Sequence, residues 1–293
     1  MEDELQWMLS QLSAEELEIA ARSSFEYFKM RTQKDPAADE DDDDEDTLDP
    51  EPYAKKMAER YWKSKKGDSE LALEKMRATL AFRKEIDIDS LRLSFTQHTS
   101  DDDLDSSTLE KFLSSGKNFV MCHDKEGRST HFFVPRNTVE HDAEWTLKES
   151  LYTMERAIAS SRAPDQSVNA ILDFRGFSVL YHTPPLSIGK EFLMTLRNHY
   201  AGQVCRIFLV DAPASFSWLW SIFSPFVGTS TRDKIIFVSG TTEKQAVFSQ
   251  YYEPNEATEW MMPESKEQTG KNADFDLVEY LYKTPFDKAF DES

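Results

Sequence analysis

Two short apolar runs, Arg206 to Val210 and Lys234 to Val238, bracket a segment crowded with large apolar side chains. Both runs are β-branched or aromatic and of strand length, the pattern of buried neighbours in a largely parallel sheet. The stretch between them is long enough for a crossover helix. Ser215 to Val227 carries Phe216, Trp218, Leu219, Trp220, Ile222, Phe223, Phe226 and Val227. On a 3.6-residue period these do not fall on one stripe, so such a helix must bury more than one face. Two readings follow from the pattern. One is a central core helix; the other packs the sheet on one side and closes an apolar cavity, or touches a membrane, on the other.

The rest of the chain alternates strand and helix signals around that core, the mark of an α/β architecture with a mixed, mostly parallel sheet and flanking helices. Asn118 to His123 and Thr130 to Val134 read as a hairpin about the turn Asp124 to Arg128. Asp142 to Arg162 reads as a helix with Leu147, Leu151, Met154 and Ile158 on one side, Val168 to Phe174 as a buried strand, Pro184 to Tyr200 as a helix, and Thr242 to Tyr252 as another. Before the sheet, Glu2 to Arg31 forms one or two amphipathic helices, with Trp7, Met8, Leu12, Leu17, Ile19, Ala20, Phe25 and Phe28 as expected core and Ser13 with Glu16 as a capping box. Pro52 to Lys66 and Ser69 to Glu85 make a helical pair broken at Gly67, the second helix capped by Asp68 or Ser69. Thr99 to Thr108 reads as a polar loop, and Pro254 to Ser293 as an acidic tail that includes Trp260, Met261 and Met262.

Charge is unevenly placed along the 293 residues. The net charge is −20, yet Asp35 to Glu51 holds eleven acids and no base, and the chain without it would stand at −9. Asp39 to Asp46 is an unbroken run of eight carboxylates, which repels itself into an extended, solvated, disordered linker. The sign then reverses at Lys55, Lys56, Arg60, Lys63, Lys65 and Lys66. One reading pairs the two segments and masks an anion-binding entrance until an anionic membrane competes; the other is a plain solvated insertion. So acidic a protein is not expected to bind nucleic acid, and contact with anionic lipid must be made locally. No apolar run approaches bilayer-spanning length. The acidic start MEDELQWMLSQ lacks the basic and apolar regions of a signal peptide. Cys122 and Cys205 have neither metal-ligand nor disulfide spacing and read as two buried thiols in a reduced cytoplasmic chain.

Catalytic signatures are not apparent. G-x-S-x-G, a Gly-rich phosphate loop and H-E-x-x-H are absent, and the six histidines are scattered, so no enzyme activity, metal or cofactor is expected. His199 near Asp211 is the one arrangement from which a Ser-His-Asp set could be imagined.

The string NHYAGQVCRIFLVDAP, the aromatic helix and PFVGTSTRDKIIFVSG resemble the CRAL-TRIO lipid-binding domain, as in phosphatidylinositol/phosphatidylcholine exchange proteins. KSKKGDSELALEKMRATLAFR, Lys125-Glu126-Gly127-Arg128 and NAILDFRGFS follow that family's order, so the likeness runs from about residue 53 to residue 252. Together with the helices, charge run and tail read from the residues, it divides the chain into N-terminal helices over 1–34, the acidic linker over 35–51, a helical module over 52–113, the lipid-binding domain over 114–252 and the tail over 253–293. It also implies an apolar lipid cavity walled by the sheet and gated by the aromatic helix; Gly228 and Gly240, by their placement, read either as hinges of that gate or as ordinary helix-end and strand-end glycines.

The same resemblance supplies site residues. The phosphoinositol head is held in the family by a Thr and a Lys before the last core strand and by a basic pair in the helical module, which match Thr231, Lys234, Lys65 and Lys66. A phosphodiester suits such charge-assisted donors. The alternatives are a solvent-facing strand end for Lys234 and a solvated helix end for Lys65 and Lys66. The family's Tyr-Pro-Glu segment aligns with Tyr200-Ala201-Gly202, which lacks the inositol-binding carboxylate, and the choline-lipid positions align with Val120, His131, Val168 and Ala170. Recognition of an anionic phosphate is therefore expected over inositol or choline selectivity. The implied protein is a monomeric carrier of one phospholipid, peripherally associated with membranes. A tocopherol, retinoid or sterol-like guest, and a scaffold that regulates a partner such as a small GTPase, stay open as alternatives.

Overall fold

The computed structural model describes residues 1–32, 48–95 and 104–253. Two units separate by their internal packing, Met1–Asp89 and a second beginning at Ser90. The acidic run Asp39 to Asp46 and the tail from Pro254 lie outside the described residues.

The first unit holds α1 (Glu2–Ser10), α2 (Ala14–Arg22), α3 (Phe25–Thr32), α4 (Glu51–Ser64) and α5 (Ser69–Glu85), and α6 (Ile88–Leu93) follows. In α1 the buried positions are Leu5, Met8 and Leu9, an i, i+3, i+4 stripe that leaves Trp7 on the other face, 40% exposed. Trp7 is thus not the core residue its size suggests. The Ser13 capping box forms as expected: the Ser13 hydroxyl accepts from the Glu16 N–H at 3.2 Å and the Glu16 carboxylate accepts from the Ser13 N–H at 2.8 Å. Between α4 and α5 the Gly67 N–H reaches the Trp62 carbonyl and the Lys66 N–H the Lys63 carbonyl, both at 3.1 Å, a Schellman ending. Its left-handed residue is Lys66, at φ +56°. Asp68 then caps α5 by accepting from Leu71 N–H at 3.0 Å.

In the second unit α7 (Leu104–Leu113) overlaps the stretch read as a polar loop. The Asp and Ser residues that suggest a loop supply the polar first turn of this helix, and its buried apolar side chains Leu109, Phe112 and Leu113 follow. The sheet follows as β1 (Asn118–His123), β2 (Ser129–Phe133), β3 (Val168–Asp173), β4 (Val204–Val210) and β5 (Ile235–Val238). The strands lie in chain order, with β1 and β2 antiparallel and every later pair parallel. The mixed, mostly parallel sheet with flanking helices is the architecture the sequence pattern predicts. β1 carries a bulge after Val120, where Cys122 adopts φ +56°. Cys122 and Cys205 are not joined in a disulfide and are only half-buried, because each sits at an irregular or terminal strand position rather than under a helix.

The helices of this unit are α8 (Ala143–Ser160), α9 (Val179–His182), α10 (Leu186–His199), α11 (Phe216–Phe223), α12 (Thr229–Arg232) and α13 (Gly240–Tyr251). Right-handed crossovers between parallel strands taken in chain order place every connection on the same face of the sheet. The contacts agree. The Ser129 hydroxyl donates to the Ala157 carbonyl of α8, Phe216 and Leu219 of α11 pack with Leu209 of β4, and strand alternation with the ladder register puts Ser129 and Leu209 on one face. Among the described residues the other face is packed by α13, whose Phe248 ring lies 5.3 Å from the Phe208 ring.

Candidate functional site

The two faces of the sheet are not equally covered. Ile171, Phe208, Val210 and Val238 face α13, and each is at most 2% exposed. Ala170, Leu172, Ile207 and Ile235 alternate with them on the crossover face and are only half-buried, although Leu209 on that face is 2% exposed and Ile236 on the α13 face is itself half-buried. Among the described residues, the apolar side chains Leu172, Ile207 and Ile235 beside α11 therefore retain surface that the helices do not cover.

Helix α11 is shorter than the aromatic pattern implies. It ends at Phe223 and passes into a 3-10 turn over Ser224–Phe226, since Pro225 has no N–H to continue the α-helical ladder and its ring crowds the preceding turn. Phe216, Leu219, Trp220 and Phe223 form the i, i+3, i+4, i+7 stripe laid on Phe174, Leu209 and Ile235. Trp218 lies on the opposite side, 58% exposed, and Ile222 is half-buried. Phe226 is half-buried under the Lys190 ammonium at 5.3 Å, and Val227 is buried. The helix thus packs the sheet with one stripe and offers an indole to solvent with the other. Its partner is α10, where a Cβ added at Gly189 would stand 2.7 Å from Phe223 Cζ. That closeness needs glycine.

Thr231 and Lys234 are brought together at the entry to β5, where the Lys234 N–H donates to the Thr231 carbonyl at 3.1 Å. The Lys234 ammonium donates to the Val204 carbonyl at 2.5 Å, and an ammonium has two further N–H donors. Sequence reasoning missed Arg232 between them. Its guanidinium donates to Ser224 O at 2.6 Å and Val227 O at 3.1 Å, tying down the turn in which the Ser224 carbonyl also accepts from the Val227 N–H at 3.1 Å. A cation a few residues after a proline-broken helix end is the signal that could have found it. Lys65 and Lys66 belong to the first unit, at the end of α4, Lys65 half-buried and Lys66 exposed. Gly228 has φ −60°, which any residue adopts, whereas Gly240 has φ +69°, so only Gly240 uses the freedom particular to glycine.

Other polar groups on this sheet have local partners. The Asp211 carboxylate pairs with the Lys244 ammonium and accepts from the Gly240 N–H at 3.2 Å. The Tyr200 hydroxyl donates to Glu155 Oε1 at 2.9 Å. Asp173, buried at the end of β3, accepts from the Arg136 guanidinium at 2.8 Å and from Arg175 at 2.8 and 2.7 Å. Burial pushes its carboxyl up, but the two guanidinium groups outweigh this and hold it below the usual range. Burial pushes the His131 imidazole down to about 4, so it is neutral at pH 7. Among the described residues no group of three or more His, Cys, Asp and Glu side chains converges as a metal site would require, and no helix is long and apolar enough to cross a membrane.

Residues 113–259, half of the sequence, match the CRAL/TRIO domain. The chain belongs to the CRAL/TRIO family. Within that family it is 23% identical over 145 residues to the CRAL-TRIO domain-containing protein C23B6.04c of Schizosaccharomyces pombe, which aligns 50% of this chain and 14% of that one. It is 22% identical over 186 residues to the phosphatidylinositol transfer protein PDR17 of Saccharomyces cerevisiae, covering 61% of this chain and 50% of the relative. The chain therefore spans half or less of the length of these relatives. The solved structure of Sfh5 superposes with a TM-score of 0.49 at 14% identity, covering 63% of this chain and 66% of that one. The CRAL/TRIO match takes in all five strands and α8 to α13, and thus both Thr231 and Lys234 and the whole of α11.

Proposed function

We propose that this protein binds one lipid beneath α11, an anionic phospholipid such as phosphatidylinositol, and exchanges it at a membrane surface as a monomeric carrier without catalysing a reaction. The observation that carries this reading is the incompletely covered apolar face, Ala170, Leu172, Ile207 and Ile235. Each acyl CH₂ drawn from a bilayer into water costs about 0.8 kcal/mol, so a carrier must offer such surface and a cover that moves. Helix α11 supplies the cover. The half-buried flank of its apolar stripe faces the guest, and Trp218 faces the bilayer. Thr231 and Lys234 take the lipid phosphate with a hydroxyl and two free ammonium donors, and Lys65 and Lys66 add positive charge toward anionic lipid. That the relative from Saccharomyces cerevisiae is a phosphatidylinositol transfer protein supports the same ligand class here.

The test is loading. The purified protein is incubated with liposomes of mixed phospholipids, re-isolated, and analysed by native mass spectrometry and lipid extraction. One phosphatidylinositol per chain is expected; a protein that returns without lipid refutes the carrier reading.

A further inference from the structure

Beyond the carboxyl end of β3 the chain turns back through α9, a one-turn helix held mainly by polar contacts. None of its four residues is buried, and Leu180 and Tyr181 stand 80% and 72% exposed. Apolar burial therefore does little to keep it in place. Local bonds about Ser178 do so instead. The Ser178 carbonyl accepts from the His182 N–H at 2.9 Å, and the Ser178 N–H donates to His182 Nδ1 at 2.9 Å. The His182 ring lies 5.8 Å from the Phe177 ring. His141, from the segment after the 3-10 turn Pro135–Asn137, hydrogen-bonds the Tyr181 backbone.

The bond from Ser178 fixes the protonation state of His182. A ring nitrogen that accepts carries no proton, so the imidazole is neutral with its proton on Nε2. An imidazolium carries a proton on both nitrogens and would set one N–H against another. The charges around the turn offer that cation no compensation. Desolvation and the Lys117 ammonium push the His141 imidazole down, with a smaller push from His182, while its bond to the Tyr181 backbone acts the other way. Arg136 and Arg175 are cations, and both are spent on the Asp173 carboxylate. Among the described residues no carboxylate pairs with His141 or His182.

The turn also braces the apolar floor. Phe177, immediately before Ser178, meets Phe174 edge to face at 5.2 Å, and Phe174 packs on Phe216 of α11 at 4.7 Å. Phe177 is thus one flank of the cluster beneath α11, and a turn that lets go of His182 lets go of that flank.

We propose that α9 is a strap released by a proton: neutral His182 ties it down beside α11, and protonation of Nδ1 frees it and opens that flank of the apolar face. The consequence for lipid entry rests on the reading of that face as a lipid site; the strap itself does not.

Hydrogen exchange at the amides of Ser178 to Thr183, corrected for the intrinsic rate, is compared at about pH 7.5 and about pH 5.5 in the full chain. With only the released state able to protonate, at the ordinary imidazole pKa of about 6.5, opening becomes about tenfold more frequent at the lower pH. His182→Asn keeps an acceptor where Nδ1 stands and cannot titrate, so its protection should stay high at both pH values. His182→Ala should be poorly protected at both. Phosphatidylinositol uptake from liposomes, taken as the ratio of parent to His182→Asn, should rise about tenfold over the same interval, the ratio cancelling effects on the membrane and on the other histidines. Protection in the parent that does not change, or that changes equally in His182→Asn, overturns the strap. A constant uptake ratio alongside the expected exchange overturns its opening of the apolar face. Should neither parent nor variant load lipid at either pH, the carrier reading falls, and the exchange data still decide the strap.

Discussion

Separating the two sides of α11 by mutation tests the cover most directly. Leu219 sits in the cluster with Phe174, Leu209 and Phe216, only 8% exposed. Truncating it to Ala should cost about 2–4 kcal/mol, which for a unit of this size lowers the melting temperature by about 2–4 °C per kcal/mol. Trp218, one residue away, is 58% exposed. Trp218→Ala removes little packing and should stay within about 0.5 kcal/mol of the parent. Its effect should fall on lipid uptake instead. With roughly 200 Å² for a buried indole side chain, the exposed part is about 120 Å², and at about 25 cal/mol per Å² its transfer into a bilayer interface is worth up to about 3 kcal/mol. That corresponds to about a hundredfold in membrane partition. Thermal unfolding and fluorescent-lipid uptake from liposomes, measured on both variants, therefore give opposite orders: Leu219→Ala the less stable, Trp218→Ala the poorer in uptake. Were Trp218→Ala to destabilise the fold as much as Leu219→Ala, α11 would be a two-sided core helix. Were it to take up lipid at the parent rate while folded, the membrane-facing assignment would be wrong.

Three further outcomes follow from single groups. Lys234→Ala should weaken phosphatidylinositol binding about tenfold or more, as expected for a lost charge-assisted hydrogen bond, and leave dioleoylglycerol binding unchanged; equal losses for both lipids would place Lys234 in the fold and not at the phosphate. Lys66→Gly, at φ +56°, should raise stability by about 1 kcal/mol by relieving a left-handed backbone while lowering affinity for anionic liposomes, so a variant with unchanged liposome affinity rules out its lipid role. Asp173, held below the usual carboxyl range by Arg175 and Arg136, contributes stability that is complete above its unfolded pKa of about 3.9 and lost as pH falls through its lower folded value. Asp173→Asn should therefore cost about 3–5 kcal/mol at pH 7 and show less of that acid loss in denaturant titrations; a variant as stable as the parent at pH 7 contradicts the account.

The local chemistry of this chain could be read from residue types and spacing. β-branched runs became β3, β4 and β5, Ser13 with Glu16 became a capping box, and Asp68 became a helix cap, because each depends on neighbours a few residues away. Where the pattern misled, distant structure or a single residue overrode it. Pro225 stopped α11 early, Asp and Ser residues opened α7 in place of a loop, and Trp7 fell off the buried stripe of α1 despite its size.

Periodicity gave α11 too many apolar faces for one stripe, and nothing in the spacing could say which of them meets the sheet. That choice belongs to the crossover direction: sequential parallel strands wound with one hand put α8, α10 and α11 on the same side, while among the described residues α13 packs on the other. Asn118, His131 and Glu149, far apart in the sequence, likewise became one buried cluster only through strand pairing and the laying of α8 across it. Short-range hydrogen bonding and apolar pattern are properties of sequence; the sharing of a face between distant segments is set by topology and packing, which no local window contains.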